Sequence, residues 1–268
     1  MFIKFKKLQS FITISLLISI LFFSSCNQTS KTTELNLPDG FISTVFIDSI
    51  AETVRHMDVK NNGDLYVKFR RQSDDGVLAA IRDINKDGKA DSIVKFGKYH
   101  IPQRGSYSTS ARIYNGYLYY SSQLTIYRVK LDPKHLVPKS TPEIIVIDDH
   151  KHGSHEHIGK PLAFDDEGYI YVPFGAPNNA CQEPKRTPLA AGRDPCPDLD
   201  LHGGIWKFKA DQTNQTQKDG ELFATGLRSI VAMNWNPSDK TLYAVGHGRD
   251  DLARLWPNQY SKWESALL

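Results

Sequence analysis

The sequence predicts an all-β protein of the β-propeller class. Two apolar strands joined by a turn containing Asn, Asp or Gly recur at residues 57–69, 111–122, 162–175 and 233–248. Matching apolar positions in these units lie 53, 52 and 72 residues apart, at Leu65, Leu118, Ile170 and Leu242. No helical period of comparable strength follows the first 25 residues. A repeat near 50 residues built only from strands is typical of propeller blades, whereas a β-sandwich stays open as the structural alternative.

Each unit extends beyond its first two strands. Apolar alternation at 124–131 and 203–211 brings the unit to three or four strands. The longest spacing is explained by an insertion at 176–200, which we expect to form a loop on one face of the propeller. At this spacing the chain supplies about four to five blades, too few to close a ring and hide its edge strands. We therefore expect an incomplete, N-terminal part of a longer protein.

The first 25 residues have the order of an export leader. Three lysines precede an apolar stretch, Phe11 to Phe23, which is shorter than the roughly 20 residues of a membrane-spanning helix. Ser24 and Ser25 then precede Cys26, as in a bacterial lipobox. The sequence predicts a lipoprotein signal peptide at 1–25, with Cys26 lipidated and anchored in a membrane. An ordinary secretory leader or a plain membrane anchor stays open.

The remainder of the chain divides into a tether and one domain. Residues 26–36 are polar and have little to bury, so we expect a flexible tether before a partial propeller domain at 37–268. The net charge of +3 falls to zero once the three leader lysines are removed. No basic stripe is left to bind phosphate backbones, so nucleic acid is not an expected partner. We expect the protein in the bacterial periplasm or at the cell surface.

The three cysteines indicate one disulfide. With Cys26 assigned to the lipid, Cys181 and Cys196 remain as a pair in an oxidising compartment. We expect them to close a loop across the polar, proline-rich insertion. Two free thiols are the alternative, and neither cysteine has the close second cysteine that a metal site needs.

Two clusters have the composition of metal ligands. Four histidines stand at His150, His152, His155 and His157, and alternate positions on a strand share a face, so zinc is one interpretation and a solvated loop the other. Residues 83–91 resemble a calcium loop. Their oxygen side chains are Asp83, Asn85, Asp87 and Asp91 around Gly88. The glutamate of a full EF-hand is replaced by Val94, which leaves a short calcium hairpin or an unoccupied Asp-Gly turn.

Two segments carry a resemblance to a known family. HEHIGKPLAFDDEGYIYVPFG (155–175) and TGLRSIVAMNWNPSDKTLYAVGHGRDD (225–251) resemble the soluble quinoprotein glucose dehydrogenases. From about Leu37 onward, the chain is similar to the sorbosone branch of the glucose/sorbosone dehydrogenase family. The insertion that begins APNNACQEPKRTP is characteristic of that branch. The resemblance implies a six-bladed propeller, the cofactor pyrroloquinoline quinone (PQQ) with calcium, and oxidation of an aldose or related sugar.

The resemblance also implies roles for single residues. His157, preceded by the acidic Glu156, matches the base that takes the proton of the sugar hydroxyl, and imidazole has a suitable pKa for that task. Arg228 matches the arginine facing a quinone carbonyl, where a guanidinium stabilises the developing negative charge. Ser229 follows it where the family commonly has asparagine. The ordinary alternatives are a loop histidine without function and a surface ion-pair arginine.

The segment around His247 matches the family's calcium loop. The resemblance assigns cofactor contact to His247, Gly248 and Arg249, and calcium coordination to the carbonyls of Gly248 and Arg249.

Hydride passed to the quinone would need an external electron acceptor such as a cytochrome c. Two hypotheses of other classes stay open: a non-catalytic, lipid-anchored propeller that binds glycans or proteins, and a metal-dependent lactone hydrolase.

Overall fold

The structure is a computed structural model that describes residues 35–99, 110–149 and 156–260. The predicted leader and Cys26 lie outside these ranges, as do His150, His152 and His155. The chain forms two units. The first ends at Phe46, and its described part has no helix or strand beyond a turn closed by the Phe41 amide on the Pro38 carbonyl. The second unit begins at Ile47 and holds all the sheets.

Four antiparallel sheets follow one another along the described chain. Sheet 1 contains β1 (Val54–Val59), β2 (Leu65–Ser73), β3 (Gly76–Arg82) and β4 (Ser92–Phe96). Sheet 2 contains β5 (Ala111–Tyr114), β6 (Tyr117–Ser121), β7 (Thr125–Lys130) and β8 (Glu143–Ile147). Sheet 3 contains β9 (Ala163–Phe164), β10 (Tyr169–Phe174), β11 (Gly204–Lys209) and β13 (Glu221–Thr225). Sheet 4 is the pair β14 (Ser229–Asn236) and β15 (Thr241–His247). The predicted all-β propeller is confirmed, and the four equivalent apolar positions all fall on the second strand of a sheet.

The sheets pack face to face because side chains alternate along each strand. On β6, Tyr120 belongs to the core shared with sheet 1, whereas the adjacent Tyr119 belongs to the core shared with sheet 3. On β10, Ile170 and Val172 face sheet 2, and Tyr171 faces sheet 4. Each middle strand is therefore buried on both faces, which explains its continuous apolar composition.

The first strands of neighbouring sheets lie side by side along the inner edge. The Ile113 amide on β5 donates to the Asp58 carboxylate on β1 at 2.7 Å. Arg112 donates to the carbonyls of Leu162, at 3.4 Å, and Met233, at 3.1 Å. One guanidinium thus connects the inner ends of sheets 2, 3 and 4, which fixes their relative placement.

A short strand from the third repeat joins the second sheet. β12 (Gln215–Thr216), in the connection from β11 to β13, pairs in parallel with Val146 and Ile147 of β8. The Gln215 side-chain amide also donates to the Lys209 and Gln212 carbonyls at 2.8 Å. Sheets 2 and 3 are consequently joined by backbone hydrogen bonds as well as by their shared core.

Short helices complete the described chain. Two 3-10 helices span Pro197–Asp200 and Gln217–Asp219, and two single-turn α-helices, α1 (Leu252–Leu255) and α2 (Pro257–Tyr260), follow the last strand. Across the described ranges, none of the helices has the length and apolarity required to span a bilayer.

Candidate functional site

The topology brings the predicted site segments to one end of the sheets. Because neighbouring strands are antiparallel, the end of β10, the start of β11, the start of β14 and the end of β15 meet at the same edge. His157 precedes β9, Arg228 precedes β14, and Gly248 follows β15. The insertion between β10 and β11, residues 175–203, emerges at this edge and is called the disulfide insertion below. The sequence segments singled out for function are therefore neighbours.

The backbone of Ala176 connects the segment that carries His157 to the segment that carries Arg228. Nδ1 of His157 lies 2.6 Å from the Ala176 carbonyl oxygen, which can only accept, so Nδ1 carries the proton. The Ala176 amide donates to the Arg228 carbonyl at 2.8 Å. In neutral His157 the lone pair is consequently on Nε2, the arrangement that a general base needs.

Gly175 allows His157 to approach so closely. A Cβ built on Gly175 would lie 2.0 Å from the His157 carbonyl oxygen and 2.7 Å from its Cβ. Any larger residue would push the histidine segment away from the end of β10. This close approach is one reason why the motif ends in glycine.

The surroundings of His157 favour its neutral form. Burial lowers the pKa of His157 below 6.5, and the positive charge of Arg228 lowers it further. The hydrogen bond to Ala176 and the carboxylates of Glu156 and Asp250 act in the opposite direction without reversing the shift. At neutral pH the imidazole can therefore accept a proton.

Arg228 is held in place and keeps one unused donor. Its guanidinium donates to the Gly248 carbonyl at 2.5 Å and to the Asp250 carboxylate at 2.6 Å, and its side chain is 11% exposed. Its Nε–H is buried and has no hydrogen-bond partner in the described part of the chain. A buried donor without an acceptor is costly, so an oxygen of a bound molecule fits here. The residues present thus fit the quinone oxygen that the resemblance implies.

The predicted calcium ligands at the end of β15 are arranged differently. The Gly248 carbonyl already accepts the Arg228 guanidinium, so a calcium ion there would have to share that oxygen with a positive charge. Arg249 is exposed, and His247 is exposed opposite Ser229 in the β14–β15 pair. As the side chains stand, this loop does not fit calcium on Gly248, and its role as a metal loop stays a prediction.

The loop at 83–91 has the geometry of an Asp-Gly turn. Its side-chain oxygens accept backbone amides of the same loop: Asp83 accepts from Lys86 and Gly88, Asn85 from Asp87, Asp87 from Lys89, and Asp91 from Ile84 and Asn85. Of the two alternatives that the sequence left open, this arrangement favours the unoccupied turn. Within the described ranges, Cys181, Cys196 and Asp198 form the one group of His, Cys, Asp or Glu side chains spaced as metal ligands, and both sulfurs are in a disulfide.

The predicted disulfide is confirmed. Cys181 and Cys196 are bonded, with their Cα atoms 6.2 Å apart. Arg193 lies beside the bond and pairs with Asp198 at 3.0 Å. A cleft of about 210 Å³ runs from this disulfide to Arg228 and Arg249. The disulfide insertion therefore forms one wall of the candidate site.

Loss of the disulfide should lower stability measurably. The Cys181→Ser/Cys196→Ser double variant opens a loop of 15-residue separation, and the free energy of unfolding should fall by about 3 kcal/mol in urea denaturation. Wild-type protein under reducing conditions should show the same fall. An unchanged midpoint in both would contradict a stabilising role of the disulfide.

The contacts that Arg186 and Asn179 make at the site were missed by sequence reasoning. Arg186 pairs with Glu156, Asp250 and Asp251. Asn179 and Asp250 exchange two hydrogen bonds, side-chain amide to carbonyl at 2.8 Å and backbone amide to side-chain oxygen at 2.9 Å. No periodicity marks these residues, and the only available signal was an arginine inside a loop placed at the functional face.

The sheets and the loop wall define a β-propeller protein with a polar site at one end of its strands. The chain belongs to the TrAA12-like family, which matches residues 35–262. No curated protein matches it by sequence.

Solved structures share the fold. The iodide structure of Trichoderma reesei Carbohydrate-Active Enzymes Family AA12 has a TM-score of 0.59 at 16% identity, covering 78% of this chain and 49% of that one. The calcium structure of the same protein has a TM-score of 0.58 at 15% identity, with coverages of 78% and 49%. The holo form of the pyranose dehydrogenase PQQ domain from Coprinopsis cinerea has a TM-score of 0.56 at 14% identity, with coverages of 75% and 45%. The chain spans about half the length of these proteins.

Proposed function

We propose that the protein is a PQQ-dependent oxidoreductase that oxidises an aldose or a related sugar of the glucose or sorbosone type. The observation that carries the proposal is the Ala176 peptide. It fixes Nδ1–H of His157 on one side and the Arg228 backbone on the other. Membership of the TrAA12-like family and the fold shared with a pyranose dehydrogenase PQQ domain support it.

His157 is suited to the proton step. Because Nδ1–H is bound to the Ala176 carbonyl, Nε2 is the atom that would take the proton from a sugar hydroxyl. Its lowered pKa keeps it unprotonated at neutral pH. Ala176 fixes the ring orientation, a task that is often performed by a carboxylate.

Arg228 is suited to stabilising negative charge on an oxygen. Its Nε–H has no partner in the described chain, while the bonds to Gly248 and Asp250 prevent the guanidinium from turning away. When bound, PQQ would supply the hydride acceptor. Arg228 would hold the cofactor through Nε, and we propose further contacts with it from Ser229, His247 and Arg249.

The proposal includes a location and an electron partner. A disulfide is expected of a protein in an oxidising compartment, which agrees with the leader-like first 25 residues. We place the protein in the periplasm or at the cell surface of a bacterium, anchored through Cys26. An external acceptor such as a cytochrome c would take the electrons.

Titration with PQQ tests the proposal. The protein should bind PQQ, with calcium added, and should then reduce a dye acceptor with at least one aldose. Arg228→Gln should weaken PQQ binding by about 10-fold or more, since a charge-assisted contact contributes about 1.5–3 kcal/mol. Arg71→Gln removes an exposed arginine on β2, in sheet 1 and outside the candidate site, and it should bind PQQ as the wild type does.

Two outcomes would contradict the proposal. One is PQQ affinity that does not change in Arg228→Gln. The other is saccharide binding in calorimetry without any PQQ binding, which would instead indicate a non-catalytic glycan-binding propeller.

A further inference from the structure

Arg186 connects the two segments that carry His157 and Arg228. One of its guanidinium nitrogens lies 3.0 Å from the Glu156 carboxylate, directly before His157 in the chain. The same nitrogen lies 3.5 Å from the carboxylate of Asp250, the acid that pairs with Arg228 at 2.6 Å. Its other terminal nitrogen binds Asp251 at 3.0 Å. A single side chain therefore bridges residues 94 positions apart in sequence, outside any sheet ladder.

The backbone that carries Arg186 is fixed independently of these ion pairs. Arg186 itself has a φ of 51°, which is unfavourable for a residue with a Cβ and persists only where the surroundings enforce it. The Leu189 amide donates to the carbonyl of the fully buried Leu255 at 2.8 Å. The Asn179–Asp250 exchange and the disulfide restrain the insertion from its other parts. Arg186 is thus presented at a defined place and is not a freely moving surface side chain.

The charges are matched in number around the bridge. Glu156, Asp250 and Asp251 are negative, and Arg186, Arg228 and Arg254 are positive. Asp250 and Asp251 are each held by two cations, whereas Glu156 pairs with Arg186. Coupled pairs of this kind can contribute more than isolated exposed pairs. Removing Arg186 takes away the cation that pairs with Glu156, the residue directly before His157.

We propose that Arg186 is a positioning residue of the site, which holds the His157 segment and the Arg228–Asp250 pair in register from the disulfide insertion. This inference rests on the proposed function for its catalytic consequence. The placement itself concerns side chains of this chain and is testable without cofactor. Arg186 touches no reacting atom in this role and acts through Glu156 and Asp250.

The imidazole of His157 reports on the bridge. The charged groups whose fields reach it are Glu156, Asp250 and Arg228, and the groups that share its small cavity are Asp148, Lys160 and His202. Without Arg186, the negative charges of Glu156 and Asp250 are less neutralised, and both of these charges raise the pKa of His157. The pKa of His157 should therefore rise when Arg186 becomes neutral, and should stay near its wild-type value when lysine keeps the charge.

The experiment measures the pKa of His157 by NMR of imidazole-labelled, cofactor-free protein, with His157→Gln to assign the signal. Arg186→Gln should raise the pKa by about half a unit, the size expected of one partly exposed charge pair. Arg186→Lys should restore most of the wild-type value. Arg193→Gln is the matched control: Arg193 lies in the same insertion, is 35% exposed against 33% for Arg186, and pairs with Asp198. It should leave the His157 signal unchanged.

Activity gives the second readout. In the sugar-oxidising protein, Arg186→Gln should lower kcat several-fold with little change in KM for the sugar, since the insertion arginine orients the base and not the substrate. A pKa of His157 that is the same in wild type, Arg186→Gln and Arg193→Gln would overturn the positioning role. A shifted pKa in a protein that binds no PQQ would instead leave the bridge standing and reject the proposed function.

Discussion

Replacing His157 with glutamine should lower kcat for sugar oxidation by about 10²–10⁴-fold, the usual contribution of a positioned general base. Glutamine can still donate to the Ala176 carbonyl but cannot take a proton. PQQ affinity should change little, because Arg228 keeps its bonds to Gly248 and Asp250. Steady-state dye reduction and a PQQ titration measure the two effects separately.

A second histidine provides the control for this variant. His135 is exposed and lies 2.6 Å from the Asp132 carboxylate, away from the site edge. His135→Gln should retain wild-type kcat. Equal losses in the two variants, or full activity in His157→Gln, would remove His157 from the proton step.

The pH profile should follow the same imidazole. His157 acts as a base only when neutral, and burial lowers its pKa below 6.5, so kcat should rise with pH through that lowered pKa and level off before neutral pH. The stability of the folded state should depend on pH in the same direction. Below pH 6.5 the unfolded chain binds a proton that the native histidine resists, so the folded state loses stability as pH falls. An acid limb centred above pH 6.5 would contradict this assignment.

Replacing Lys160 with methionine should lower the free energy of unfolding by about 3–5 kcal/mol, the cost of breaking a buried ion pair from one side. Lys160 and Asp148 lie 2.9 Å apart, with side chains 2% and 5% exposed. The ammonium also lies 4.3 Å from the centre of the Phe174 ring. Methionine fills the space but removes the ammonium that pairs with the Asp148 carboxylate.

Urea denaturation with two further variants separates burial from charge. Lys160→Met combined with Asp148→Asn should recover part of the loss, because both charges of the buried pair are then removed together. Lys95→Met breaks a pair with Glu52 at 3.2 Å whose members are 22% and 26% exposed, and should cost less than about 1 kcal/mol. Similar losses in Lys160→Met and Lys95→Met would show that the buried pair contributes no more to stability than the more exposed one.

The sheets were predictable from sequence because alternation is local. Tyr119 and Tyr120 are adjacent letters that enter opposite cores, which follows from the period of two along a strand. The disulfide followed from counting cysteines. Strand β12 could not be found in this way, since two residues carry no periodic signal and its partner β8 is about seventy positions earlier.

The candidate site was predictable in its residue types and less so in its contacts. The proximity of His157 and Arg228 follows from strand order, yet the shared Ala176 peptide depends on how the chain leaves β10. Glu156, expected beside the base, has its carboxylate bonded to Arg186. Gly248, expected as a calcium ligand, accepts Arg228. Ion-pair partners are chosen among side chains that meet only after folding, and spacing alone cannot assign them.

The pairing of β12 with β8 has a consequence for how the protein unfolds. Gln215 and Thr216 pair with Val146 and Ile147, so part of the β8 edge of the second sheet is covered and is not open to pairing with another chain, a common route to aggregation. Sheets 2 and 3 should also open together in native-state amide exchange, because the backbone hydrogen bonds between β12 and β8 must break before either sheet can separate. The candidate site lies at the ends of sheets 3 and 4, so the part of it on sheet 3 should open together with sheet 2.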